Sequence, residues 1–480
     1  MDKLTNYCNE LFIAENTSLY RFCKNHNLER TCIRRLLKGE RLPKEDVFEE
    51  FANALTLTPQ ESIKLHELYQ RQKLGPVRYE NRIFIKDLLE YIGNGHQFHF
   101  SQSITSHYNP IAFEKKTIKI DNPLDLSYIF QQILTTEKHS VYSNISANTP
   151  FFFQSFQQSF GKRKSSVPFF HILTLLKNTE IQKDVNYNLK VLKNITSFSF
   201  QNHFHYQPFY FYGNPTNENA TVSFPYYLLT SKYILFLSEN CKEGLFSTDA
   251  ELIQIYHQQC KKMIENAQPF IYYALDPTQM LERFHSALNT TEAPAHPLYT
   301  FDFFPCLFKV YSHDLFIPQL TDEYKHNTEL IQTIDSLSKV TANFPLYEAF
   351  ISYEGLLHFT KTGELGKCCS HVLNPFAPAE RKLILEKVQS YCADGTYLLH
   401  ILPKHYFHNS PEISLELYSD HRVSLLSMNQ ENLFSSFYLR ENSIYDAILD
   451  YFESLLENPE VSSVEESAKI IQEMIDEYLG

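Results

Sequence analysis

At 480 residues and 43% hydrophobic content, the chain can bury substantial cores and has room for about two to four domains. A net charge of −13 turns most of the surface away from nucleic acid, and no apolar run is long enough to span a membrane. The nine cysteines include no CxxC pair, and the opening MDKLTNYCNELF lacks a cationic flank before an apolar core; both lead to the expectation of a cytosolic protein.

The first informative stretch is 17–58, TSLYRFCKNHNLERTCIRRLLKGERLPKEDVFEEFANALTLT. It reads as a short helix, a tight turn, a basic helix and a glycine-centred stop. Leu19, Phe22 and Cys23 give the first helix an apolar stripe, and Asn27 stands where a left-handed turn residue is needed. The second helix starts near Glu29 and stops at Gly39. Ile33, Leu36 and Leu37 point inward at helical spacing, leaving Arg30, Arg34, Arg35 and Lys38 outward. A third helix presents Phe48, Phe51, Ala52 and Leu55 as its buried face. This is the layout of a helix-turn-helix DNA reader, so residues 1–75 are expected to form an all-α domain.

Charge is distributed to match. Between Arg21 and Lys44 lie Arg21, Lys24, Arg30, Arg34, Arg35, Lys38, Arg41 and Lys44, against only Glu29 and Glu40. Residues 81–480 carry 30 basic and 44 acidic side chains, a net charge of −14. A compact basic patch docks on phosphates while an acidic body is repelled by them, so nucleic-acid contact is assigned to the N-terminal segment alone.

On these residues, 17–58 resembles the DNA-binding domain of the Cro/C1-type (XRE) family of bacterial and phage regulators. Phe22-Cys23 stands where the family has Leu-Ala, and Asn27-Leu28 stands for its Gly-Val turn. Arg30-Thr31-Cys32-Ile33 opens the recognition helix, Gly39 and Pro43 close the loop, and FANALTLT matches the fourth helix and its turn. Two positions depart: Thr17, Ser18 and Leu19 occupy the region of a frequent phosphate-clamping Gln, and Leu37 replaces a frequent acidic residue. The resemblance implies that Glu29, Arg30, Thr31 and Arg34 face base edges, with Arg30 and Arg34 able to pair guanine. It implies phosphate contacts from Ser18, Arg35, Lys38 and Arg41. The similarity covers only the first 75 residues or so.

Thr58 and Glu61 form a capping box around Pro59, opening a helix that runs to Leu74, and Gly75-Pro76 marks a domain boundary. In the connector 76–95, Ile85, Leu89 and Ile92 lie on one helical face that could pair with a second copy or pack on its own body. Beyond it the pattern turns to a mixed α/β body. HQFHFSQSI and FYFYGN alternate at period two, KYILFLSEN reads as a buried strand, and DAELIQIYHQQCKKMIENA and SIYDAILDYFESLLEN read as helices. No 34-residue helical repeat is present.

A faint duplication runs through this body. At a shift of 189, Leu237, Ser238 and Asn240 meet Leu426, Ser427 and Asn429, and Ile255-Tyr256 meets Ile444-Tyr445. At a shift of 193, Val191, Leu192 and Ile195 meet Ile384, Leu385 and Val388. Two related lobes, 96–300 and 301–480, are therefore expected.

The search for chemistry in the body is negative. No GxGxxG, GxxxxGK, Gly-x-Ser-x-Gly or His-Glu-x-x-His run occurs. His203 with His205, and His96 with His99, are metal-like pairs without a third ligand at suitable spacing, and polar strand-face histidines are the plainer reading. Cys368-Cys369 reads as two small residues near a turn, and Glu380 and Arg381 after Pro378 as a helix start. No catalytic residue, metal or cofactor is expected, and the chain is read as not an enzyme.

The leading expectation is a sequence-specific DNA-binding regulator, a homodimer on double-stranded DNA, with no membrane contact. Its body would sense a small molecule or a protein, with a pocket lined by aromatics of 204–212 and 224–236. A protein-interaction module with a DNA-binding head, and a DNA-tethered enzyme, stay open as alternatives.

Overall fold

A computed structural model describes residues 3–93, 117–149, 151, 155, 167–177, 185–199, 205–213, 222–274, 277–288, 297–305, 308–310, 312–343, 347–408, 412–428 and 434–480. The chain divides into two compact units, Met1–Phe84 and Ile85–Gly480.

Unit 1 is helical: α1 (Lys3–Ala14), α2 (Leu19–Asn25), α3 (Arg30–Leu37), α4 (Glu45–Ala54), α5 (Pro59–Leu74) and the first part of α6 (Pro76–Gly93). Phe22, Cys23, Ile33, Leu36, Leu37, Phe48, Phe51, Ala52 and Leu55 share one core, as their spacing predicts. The core also takes in α1, through Leu4, Cys8 and Leu11, an element the sequence reading left unassigned. Asn9 of α1 donates to Leu37 O at 2.7 Å, satisfying one of the carbonyls orphaned at the end of α3. Tyr69 stacks on Phe48 with ring centroids 3.8 Å apart and donates to Pro43 O at 2.9 Å, tying the loop after α3 to α5.

The boundary expected at Gly75-Pro76 is a change of helix rather than an extended linker. Gly75 (φ 83°) ends α5, α6 begins at once, and the two units divide within α6. Ile85, Leu88, Leu89 and Ile92 are buried, Glu90 accepts from His408, and Gly93 O accepts from Glu412 N. The second half of the connector therefore packs into the body of its own chain.

Unit 2 holds two mixed sheets. The first contains β1 (Thr117–Ile120), β2 (Val141–Ser143), β3 (Phe169–Leu175), β4 (Tyr206–Tyr212), β5 (Tyr226–Leu229), β6 (Ile234–Leu237), β7 (Gly244–Ser247) and β8 (Gln268–Pro269). Its order is β1-β7-β6-β5-β2-β3-β4-β8. The second contains β9 (Tyr272–Ala274), β10 (Leu298–Asp302), β11 (Tyr347–Ser352), β12 (Tyr397–Leu402), β13 (Ile413–Tyr418), β14 (Arg422–Met428) and β15 (Phe434–Leu439), in the order β12-β11-β10-β13-β14-β15-β9.

Seven strands of the first sheet repeat the second sheet's order. In each, three parallel strands (β2-β3-β4, β10-β11-β12) adjoin an antiparallel run (β5-β6-β7, β13-β14-β15), closed by an antiparallel edge strand (β1, β9). The helices correspond as well: α7 (Pro123–Thr136), α8 (Tyr187–Ser199) and α9 (Ala250–Asn266) occupy the chain positions of α10 (Pro277–Leu288), α13 (Pro378–Ala393) and α14 (Asn442–Leu456). Between α10 and α13 lie α11 (Thr328–Asn343) and α12 (Tyr353–Thr362), and α15 (Val464–Tyr478) ends the chain. The division expected after residue 300 falls inside β10, because β9 and β10 both belong to the second sheet. The lobes are joined by buried polar groups: Glu441 accepts from Tyr212 Oη and Ser443 Oγ, both at 2.6 Å, and Asn188 donates to Ser443.

The aromatics of 205–212 and 224–236 are engaged in packing. β5 is buried on both faces; Tyr206 lies against Phe169, His171 and Phe198, and Tyr227 against Tyr256. Two-sided burial calls for apolar side chains on both faces of β5, whereas β4 alternates and leaves Tyr212 exposed at its end. Among the described residues no helix is long and apolar enough to cross a membrane.

Candidate nucleic-acid interface

The candidate surface is built on α2, α3 and the loop that follows. Ser18 caps α2 by accepting from Arg21 N, and Asn27 takes the left-handed conformation (φ 55°) that turns the chain into α3. At the far end, Gly39 N donates to Leu36 O and Glu40 N to Arg35 O, each at 2.9 Å, with Gly39 at φ 70°. This is the double-bonded stop that glycine permits, and it satisfies carbonyls the helix leaves open. Local bonds thus close the C-terminal end of α3, and the turn at Asn27 sets where it begins.

All eight residues proposed from the sequence are exposed: Ser18, Glu29, Arg30, Thr31, Arg34, Arg35, Lys38 and Arg41. Thr31, Arg34, Arg35 and Lys38 recur at helical spacing and form one face of α3, while Ile33, Leu36 and Leu37 are buried beneath. Glu29 is the N-cap residue of α3 without a side-chain capping bond, so its carboxylate is not spent on the helix end. Arg34 and Arg35 also lie in the last turn, where cations favour the helix dipole, a purely structural benefit of the same charges. Lys38 Nζ lies 3.6 Å from Glu40, with both groups about half exposed, a pairing that water and salt weaken. Burial pushes the Cys32 thiol above its ordinary pKa, with Glu29 acting in the same direction, so Cys32 adds no negative charge.

One residue of this surface escaped the sequence reading. Tyr20, 57% exposed on α2, carries the Arg30 guanidinium 5.7 Å from its ring centroid. The available signal was a large aromatic beside the Leu19, Phe22, Cys23 stripe but out of step with it.

Of the metal-like histidines, His205 alone falls within the described residues. His205 is exposed, whereas His96, His99 and His203 lie outside the described residues, among which no group of His, Cys, Asp and Glu suits a metal ion. Cys369 is a free thiol that burial pushes up to about 12, which makes it a poor nucleophile; the side chain of Cys368 lies outside the described residues.

No protein-family model matches the sequence, and no curated protein matches it. Solved structures with a partial likeness include TrmBL2, described as an archaeal chromatin protein with a novel mode of DNA binding. It is 9% identical with a TM-score of 0.21, covering 44% of this chain and 72% of that one. NucT from Helicobacter pylori is 13% identical with a TM-score of 0.24, covering 32% and 99%. Phosphatidylserine synthase from Haemophilus influenzae is 9% identical with a TM-score of 0.24, covering 76% and 92%. Polyphosphate kinase from Porphyromonas gingivalis is also among the similar structures. At these TM-scores the likenesses carry no argument for a reaction. They do remove the expectation that the chain is not an enzyme, since enzymes are among the structures found similar. A search for contiguous motifs reads only local patterns, and a site assembled from separate strands leaves none.

Proposed function

We propose that unit 1 reads double-stranded DNA and that the chain is a sequence-specific transcriptional regulator whose body responds to a ligand or partner. The observation that carries this is the outward face of α3, where Thr31, Arg34, Arg35 and Lys38 are all exposed on a helix whose C-terminal end is closed by backbone bonds. A helix of this kind presents base-reading and phosphate-reading side chains together, and Arg30 and Arg34 suit guanine. The helix-turn-helix assignment of α2 and α3, and its Cro/C1-type character, belong to this proposal. Two half-sites call for two heads, so a homodimer is included.

The test is footprinting of the full chain on genomic fragments that include its own upstream region, repeated over a range of salt. Protection of a defined site, weakening steeply as salt rises, is the expected result. No protection on any fragment would sink the proposal.

A further inference from the structure

The matching registers let one lobe serve as a control for the other. Tyr142 faces Leu229 in the first sheet as Tyr299 faces Leu417 in the second, so Ser143 corresponds to Thr300 and Leu228 to Glu416. The next ladder makes Leu235 the counterpart of Ser424. Ile145, two residues past Ser143, stands where the second lobe has Asp302, two residues past Thr300. Leu228, Leu235 and Ile145 are fully buried apolar side chains. A fold that closes with Leu, Leu and Ile at these points does not require two carboxylates and a hydroxyl there. Burying carboxylates is costly unless something pairs with them.

Asp302, Ser414, Glu416 and Ser424 lie on one face of the second sheet, since Asp302 opposes Ser414 and Glu416 opposes Ser424. Asp302 ends β10, the strand at which the sheet changes from parallel pairing with β11 to antiparallel pairing with β13. From β10 the chain goes to β11 and β12 on one side and returns to β13 on the other, and the carboxyl end of a strand at such a reversal of order is where open α/β sheets take ligands. Asp302 is 6% exposed; the hydroxyl of Ser414 hydrogen-bonds its carboxyl group and that of Thr300 acts in the same sense, while its Oδ2 is left without a hydrogen-bond partner. Ser414, Glu416 and Ser424 keep partial exposure although they lie in mid-sheet, so solvent reaches this face.

The electrostatics of the face are acidic. Burial pushes Asp302 up to about 7, and the charge of Glu416 adds to that; burial likewise raises Glu416 to about 7. Tyr418 donates to Glu416 Oε2. Arg422, which also acts on Glu416, is held by Asp420 at 2.7 Å. An anion would be repelled. A calcium ion wants six to eight oxygens, and no metal-suited group is present among the described residues. A primary ammonium brings three donors and one positive charge to such acceptors.

We infer that the second lobe binds a small organic ligand through a protonated primary amine held by Asp302 and Glu416. This gives a ligand class to the sensing body proposed above, and it does not depend on whether the head reads DNA.

The test is thermal unfolding of the full chain in methylammonium chloride, with sodium chloride, magnesium chloride and potassium phosphate at matched ionic strength. Methylammonium is expected to raise the melting midpoint beyond the sodium control. That rise should vanish in Asp302→Asn with Glu416→Gln, which preserves shape. A second readout needs no amine: Asp302→Ile with Glu416→Leu, the first lobe's own residues, should melt higher than the parent. Equal midpoints in methylammonium and sodium overturn the inference, as does a response that survives in the amide variant. A response to phosphate or magnesium alone overturns it too. If the apolar variant fails to fold, the amide variant decides: a lower midpoint in sodium chloride makes the carboxylates structural and overturns the inference. Footprinting on the same samples separates the two proposals, because loss of DNA protection leaves the amine response unaffected.

Discussion

Arg34 and Lys38 lie one turn apart on the same exposed face of α3, yet they should fail differently when removed. Arg34→Ala should lose preference at one base position, costing roughly 1–3 kcal/mol on the preferred sequence. Lys38→Ala should weaken all sequences alike and lower the salt slope by about one. Anisotropy titrations over a panel of single-base variants distinguish the two, and a sequence-independent loss for Arg34→Ala would make it a phosphate contact. Tyr20 supports Arg30 through its ring, so Tyr20→Phe should keep affinity where Tyr20→Ala loses it. Asp302 and Glu416 make a pH prediction with a definite sign. Their folded values near 7 lie above the ordinary carboxylate values near 4, so the folded state holds the proton more tightly. Stability they withhold at neutral pH returns as pH falls from about 7 toward 4. Over that window the parent's midpoint should gain on that of Asp302→Asn with Glu416→Gln; parallel pH profiles would count against raised values for these two carboxyls.

At the scale of elements, legibility followed the range of the forces involved. The run from α2 to α4 could be read because its determinants are local: Ser18 at a cap, Asn27 in a turn, Gly39 at a stop and an apolar stripe on each helix. The capping box of Thr58 and Glu61 could be read for the same reason, and the protein forms it. Helix α1 was missed although Leu4, Cys8 and Leu11 have helical spacing, because its role is to cap and cover α3 across the fold. Strand order was beyond reach, since pairs such as β1 with β7 join distant segments. The repeat was partly legible. The shift of 189 places Leu237 and Ser238 on Leu426 and Ser427 in register with the ladders, but the following helices align at 192, where the N-caps Asp249 and Glu441 coincide. The added residues fall between β14 and β15, and a slip of three keeps the same helical face, so the helix match looked sound in sequence. The acidic face went unnoticed because ISLELY alternates as a half-exposed strand does, which made Ser414 and Glu416 look solvent-facing. Phe48 lends itself to a test at this scale. It is fully buried and stacked on Tyr69, so Phe48→Ala should cost about 3–5 kcal/mol in denaturant unfolding and loosen the loop that α3 ends in.

At the scale of the whole molecule, unit 1 carries its own core, so a fragment of residues 1–84 should unfold cooperatively by circular dichroism. A broad, sloping transition would mean that the head borrows stability from the rest of the chain. Unit 2 carries a different liability, which lies in the edge strands β1 and β9. Each is made before the strand it pairs with, β7 or β15, and β9 leaves the ribosome long before β15 follows. At usual synthesis rates that interval is on the order of ten seconds. Throughout it, β9 is an unpaired strand held by its short link to β8 at the end of the first sheet away from β7, so the counterpart of its eventual partner is within reach in the first sheet of another chain. A chain with two copies of one strand order thus offers a rival pairing between molecules, in which β9 of one chain takes the place of β1 in another. During refolding, this predicts a slow phase and concentration-dependent exchange of lobes between chains, traps that a single-lobe protein of the same length would not meet.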